Sequence, residues 1–162
     1  ITPVGGADKI PTFIALLGAQ KGLRIATLID IQNKDQQKIE NLYKKKLLKK
    51  KNVFTYSDFV AQDEADVEDM FEHSFFLTIV NSEYSKELQK PVKISDIKIK
   101  GPRIVVCLEK HFKDHPMIGE ASFSHYRPAR YFFENIGSLE KEISNETLDR
   151  FKKAFDAINA LL

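Results

Sequence analysis

The chain has 162 residues, 43% of them hydrophobic and 30% charged, with a formal net charge of +2 at pH 7. These proportions fit one well-cored globular unit and exclude a disordered or collagen-like chain, while so small a net charge confines any contact with phosphate to local patches. A single cysteine, Cys107, excludes an internal disulfide and leaves too few sulfurs for a structural zinc site.

No apolar run has the length of a membrane span, and the N-terminus lacks a basic segment followed by an apolar one, so a cytoplasmic protein is expected. In chain order, ITPVGG reads as a short strand, Ile1 to Val4, with a tight turn at Gly5 and Gly6. Opening on a buried-looking strand at Ile1 gives the expectation that the chain is a segment of a larger protein, with elements preceding it. VGGADK lacks the spacing of a phosphate-binding loop and reads as a turn. Asp8 caps a first helix, Pro11 suits its first turn, and Ile10, Phe13, Ile14, Leu16 and Leu17 give it an apolar face.

The stretch LRIATLIDIQNKD, Leu23 to Asp35, organises the rest. A buried strand over about Leu23 to Ile31 places Asp30 at its end, which is how a parallel sheet delivers a carboxylate to its functional edge. Asp35 to Leu48 follows with Ile39, Leu42, Tyr43 and Leu47 at helical spacing, and Val53 to Tyr56 is a second strand. Strand, helix and strand in succession imply a parallel sheet with right-handed crossovers.

An acidic segment, Asp63 to Phe71, then runs into a helix-like stretch from Phe71 to Val80. Val92 to Lys100 is a loop or edge strand, and Ile104 to Phe112 reads as a helix, although IVVCL also suits a buried strand. Ser144 or Asn145 caps a final helix from Glu146 to Leu162, with Leu148, Phe151, Phe155, Ile158 and Leu161 on one face. The histidines His73, His111, His115 and His125 show no metal-ligand spacing.

The chemistry centres on carboxylates. Glu64, Asp66, Glu68 and Asp69 follow the second strand, and successive parallel strands end on one edge, so this cluster is a candidate partner for Asp30. Carboxylates held close together need a cation or a proton among them, and hard oxygen ligands suit Mg²⁺ or Mn²⁺. The alternative is a solvated helix start stabilised by the macrodipole.

The segments ITPVGGADKIPTFIALLGAQ, LRIATLIDIQ, ADVEDMF and HYRPARYF, in that order, together resemble the Toprim domain of OLD-family (overcoming lysogenization defect) nucleases, in which it follows an ABC-type ATPase in one polypeptide. The resemblance implies an α/β Toprim-like compact parallel sheet flanked by helices over residues 1–90, with a mostly helical C-terminal part over 91–162. It also implies metal-dependent cleavage of DNA phosphodiesters with Mg²⁺ or Mn²⁺.

Asp30 matches the first aspartate of the family's Asp-x-Asp motif, and Gln32 stands at the second. Glu68 and Asp69 match a later acidic pair, with Asp66 as a close alternative. The family's first essential glutamate lies in a strand that would precede Ile1, so little nuclease activity is expected of these 162 residues alone. Candidates for stabilising charge on the phosphate are Lys98, Lys100, Arg127 and Arg130, each of which also suits a surface or packing role. Lys44, Lys45, Lys49 and Lys50, in KKKLLKKK, are candidates for backbone contact, or form a solvated helix face with Leu47 and Leu48 buried.

The implied partners are DNA and the ATPase domain, with a homo-oligomer as a further option and no membrane. The competing readings are a catalytically impaired Toprim-like nucleic-acid-binding or assembly module, suggested by Gln32, and a receiver-like domain with Asp30 as phosphoacceptor. A receiver needs paired acidic residues ending an earlier strand, and this chain lacks them.

Overall fold

The computed structural model describes residues 2–5, 7–17, 23–30, 37, 40, 41, 44, 48–97 and 103–161. The chain is mixed α/β and divides into two compact units, Ile1–Asp66 with Arg150–Leu162, and Val67–Asp149.

In the first unit, Gly5 takes a left-handed turn at φ +75°, a conformation that glycine adopts without a Cβ penalty. A 3₁₀ turn, Ala7–Lys9, leads into α1, Ile10–Leu17. Ile10 and Ile14 are buried one helical turn apart and meet Ile29 and Leu48, with Val4, Ile25 and Val53 packed around them. Strands β1, Thr27–Ile29, and β2, Val53–Thr55, pair in parallel, with Thr27 opposite Val53 and Ile29 opposite Thr55. Between them, Gln37, Glu40, Asn41 and Lys44 are helical. The rest of the helix expected over Asp35 to Leu48, apart from buried Leu48, lies outside the described residues.

Two strand expectations change. Thr2 to Val4 form no strand; Pro3 has no N–H to give a ladder. The central strand is three residues long instead of nine, because β2 starts only after the 3₁₀ turn Lys50–Asn52. Below that point a side chain replaces the ladder, as Asn52 Nδ2 donates to the Ile25 carbonyl at 2.8 Å.

The second unit is built on α2, His73–Glu83. Phe75, Phe76, Leu77, Ile79 and Val80 are all buried, so α2 is apolar over most of its circumference, as a central helix must be. Helix α3, Ile104–Asp114, buries Ile104, Val105, Leu108 and Phe112 along one stripe, and α4, Tyr126–Glu134, brings Phe132 edge-on to Phe71 and Phe75, with ring centroids 5.5 and 6.1 Å apart. The short helix α5, Ile136–Leu139, adds Leu139 to the same core. The segment expected as a loop or edge strand holds a 3₁₀ turn, Ile94–Asp96. Asn81 pins the chain before it, accepting from Val92 N–H at 2.7 Å and donating to Val92 C=O at 2.9 Å.

Helix α6, Asn145–Asn159, starts where Ser144 Oγ accepts the Thr147 N–H at 3.2 Å, the usual service of an N-cap serine. Its inner face differs from the one expected. Thr147 and Ala154 are each 1% exposed, whereas Leu148 and Phe155 are 51% and 49% exposed. The face is offset by one residue, roughly 100° around the axis. Apolarity alone misleads here because the buried Thr147 hydroxyl is satisfied by the Glu72 N–H at 3.2 Å and by Ser144 Oγ. No described helix is long and apolar enough to cross a membrane.

Candidate functional site

Asp30 is exposed and follows Ile29, the last residue of β1. Because the strands are parallel and Ile29 lies opposite Thr55, Asp30 and the turn Tyr56–Asp58 leave the sheet at the same edge. In that turn Asp58 Oδ2 accepts the Thr55 N–H at 2.7 Å, and the Thr55 and Ser57 hydroxyls lie 2.8 Å apart. The edge therefore gathers two carboxylates and two hydroxyls. Asp58 was not singled out from sequence as a site residue; its signal was the Thr-x-x-Asp spacing of a capping box directly after a strand. Gln32 and Asp35 lie outside the described residues.

The other predicted carboxylates flank the chain boundary between Asp66 and Val67. Asp66, in the first unit, is 4% exposed. Val67–Met70 forms a 3₁₀ turn, in which Asp69 is 2% exposed. Its Oδ1 accepts the N–H of Ile104, the first residue of α3, at 2.9 Å, and lies 3.3 Å from His73 Nε2. A carboxylate there satisfies an otherwise orphaned amide and complements the positive helix end. Beside it, Glu68 Oε1 stands 4.0 Å from His125 Nδ1, whose opposite nitrogen meets Glu109 Oε1 at 2.9 Å. His125 and Glu109 thus join Glu68 in a polar cluster that the sequence did not announce, since the three lie on separate segments.

Among the described residues, no group of three or more His, Cys, Asp or Glu side chains is arranged to hold a metal ion. Asp30, an exposed carboxylate at a strand end, has the donor chemistry a hard cation takes. Asp69 is already engaged in anchoring α3.

The candidate cations are placed as follows. Arg127 Nε donates to Glu83 Oε1 at 2.7 Å and Nη2 to Glu87 Oε1 at 2.9 Å, while Arg130 Nη2 reaches the same Glu83 oxygen at 3.2 Å. Hydrogen bonding to Glu83, with Glu87 adding to it, holds the Arg127 guanidinium even more firmly protonated than usual. Both arginines thereby clasp α4 onto α2. Lys44 is exposed and pairs with Glu40 at 3.2 Å along its helix. Lys49 and Lys50 are exposed and precede β2, at the end of the sheet opposite Asp30. Lys45, Lys98 and Lys100 lie outside the described residues.

No family model, curated protein or solved structure matches the chain. The functional reading therefore rests on the residues and their placement.

Proposed function

We propose that the chain is a Toprim-like domain of a larger ABC-type ATPase-nuclease, hydrolysing DNA phosphodiesters with Mg²⁺ or Mn²⁺. The observation that supports this most is the parallel β1–β2 pair, with Asp30 exposed directly after Ile29, at the edge where α/β sheets carry their chemistry. The segment resemblance adds the choice of reaction.

The resemblance assigns the cation to Asp30, with Asp66, Glu68 and Asp69 as the further acidic candidates; when bound it would supply Lewis-acid activation of water and stabilisation of the leaving oxygen. Asp30 is the most accessible of them. Lys98 and Arg127 are assigned to the phosphate, and Lys44, Lys45, Lys49, Lys50 and Arg130 to the DNA backbone. Arg127 serves the phosphate only by exchanging Glu83 or Glu87 for it.

The test is nicking of supercoiled plasmid by the full-length polypeptide with Mg²⁺ or Mn²⁺, comparing wild type with Asp30→Ala and Glu68→Ala. Loss of cleavage in both variants, with the fold intact, supports the nuclease. Gln32, neutral where a second carboxylate is expected, favours as second reading a non-catalytic nucleic-acid-binding or assembly module. DNA retention without cleavage in the wild type selects it.

A further inference from the structure

We propose that the outer face of α4 is a homodimer interface, on which α4 of a second copy of this chain packs antiparallel so that Tyr126 meets the partner's Phe133. The interface is independent of the nuclease reading. On one side of α4 Pro128 is buried, and Tyr131 and Phe132 pack against the core of the second unit. The opposite side presents Tyr126, Ala129, Arg130 and Phe133, all exposed. An amphipathic surface helix carries polar residues there. This one carries two large aromatics, Tyr126 at 69% and Phe133 at 81% exposed.

Single exposed apolar side chains are ordinary, but two large aromatics on one helix face form a patch of the kind that marks an interaction site. Seven residues apart, Tyr126 and Phe133 lie within roughly 20° of each other around the helix axis and about 10 Å apart along it. Their midpoint falls between Ala129 and Arg130. A twofold axis through that point, perpendicular to α4, sets each Tyr126 against the partner's Phe133, so one contact is made twice, as an isologous interface requires. Ala129, small and exposed, lets the two helices approach closely at the axis.

Charge selects a second copy as the occupant. At the margin of the face Arg130 lies 3.9 Å from Glu134. The twofold brings both pairs to the same flank, two cations beside two carboxylates, and antiparallel packing sets the positive end of each helix dipole beside the negative end of the other. The face is thus complementary to itself, whereas a strongly acidic or basic partner finds no such match. Four aromatic side chains, each burying about 150–250 Å² when fully covered, supply roughly half of the about 1,200 Å² that a stable interface needs. Ala129, Arg130, Glu134 and the exposed Ile136 just beyond α4 add the margin, so a weak dimer is expected, with a dissociation constant in the micromolar range.

Sedimentation velocity of the whole chain over a concentration series, with circular dichroism to confirm folding, tests the interface. The wild type is expected to pass from monomer to dimer between roughly 1 μM and 1 mM. Tyr126→Lys and Phe133→Glu change exposed side chains, and each is expected to keep the fold and to weaken dimerisation at least about tenfold. Mixed in equal amounts, the two variants are expected to associate more tightly than either does alone, because the mixed dimer holds one ammonium–carboxylate contact and one intact aromatic contact. The proposal is overturned if the wild type stays monomeric up to roughly 1 mM, if either variant dimerises as the wild type does, or if the mixture associates no more tightly than the variants alone.

Discussion

The guanidinium carbon of Arg127 stands 4.1 Å from the centre of the Tyr84 ring while its Nε donates to Glu83. One side chain of α4 thus grips an aromatic face and two carboxylates at the end of α2. The Glu83 side chain is only 8% exposed, and removing Arg127 leaves this nearly buried charge with Arg130 alone, at 3.2 Å. Arg127→Ala is expected to cost about 2–4 kcal/mol by urea denaturation. Arg127→Lys recovers only part of this, because an ammonium cannot fork between Glu83 and Glu87 or stack on the ring in the same way. Equal stability in wild type and Arg127→Ala would refute the clasp.

Asp69 separates a structural from a catalytic role within one position. Its Oδ1 caps the Ile104 N–H, and asparagine keeps an oxygen there while losing the charge. Asp69→Asn is expected to retain most of the stability, whereas Asp69→Ala costs about 1–3 kcal/mol by leaving a buried amide unsatisfied. If Asp69 also holds a metal ion, Asp69→Asn loses cleavage with its thermal midpoint nearly unchanged. A large drop in midpoint for Asp69→Asn would contradict the capping role.

Tyr84 gives the protein an alkaline limit. Burial pushes its hydroxyl above the usual tyrosine range, against the lowering effects of the Ser124 backbone and of Arg127. The folded state therefore holds the phenolic proton more tightly than the unfolded state. The resulting stability is fully present below the ordinary tyrosine pKa of about 10 and is lost as pH rises through the higher folded value. Ultraviolet titration is expected to show one late-ionising tyrosine that is absent from Tyr84→Phe. That variant also loses the bonds to the Ser124 N–H at 2.8 Å and the Ser124 C=O at 3.3 Å. A Tyr84→Phe titration curve that keeps the late component would exclude Tyr84 as its source.

Asn81 bonds both backbone groups of Val92, standing in for a neighbouring strand that the segment lacks. Asn81→Leu is expected to destabilise by about 1–3 kcal/mol and to raise amide exchange at Val92 ahead of global unfolding. Unchanged exchange at Val92 would show that the segment is held by its apolar side chain alone.

Much of the fold was legible where a pattern has a local cause. The parallel pairing of β1 with β2 followed from strand–helix–strand order, α3 from the helical reading of Ile104 to Phe112, and the start of α6 from Ser144. The misses have tertiary causes. β1 is short because its partner begins late, and α6 turns Thr147 inward because Glu72 and Ser144 satisfy its hydroxyl.

The candidate site was legible in the same uneven way. The place of Asp30 directly after β1 is legible because strand ends are visible in sequence. Asp58 carries only the local signal of a capping box, and the link between Glu68, His125 and Glu109 joins positions too far apart in the chain for any spacing rule. The engagement of Arg127 by Glu83 and Glu87 depends on how α4 packs on α2, which no pattern within HYRPARYF encodes.

The most direct test of the nuclease reading is plasmid nicking by the full-length polypeptide in Mg²⁺ or Mn²⁺, with wild type and Asp30→Ala at equal folded concentration. The expected result is metal-dependent nicking by the wild type, abolished by EDTA, and a rate at least about a hundredfold lower in Asp30→Ala. Nicking by Asp30→Ala at the wild-type rate would contradict the role given to the β1 edge.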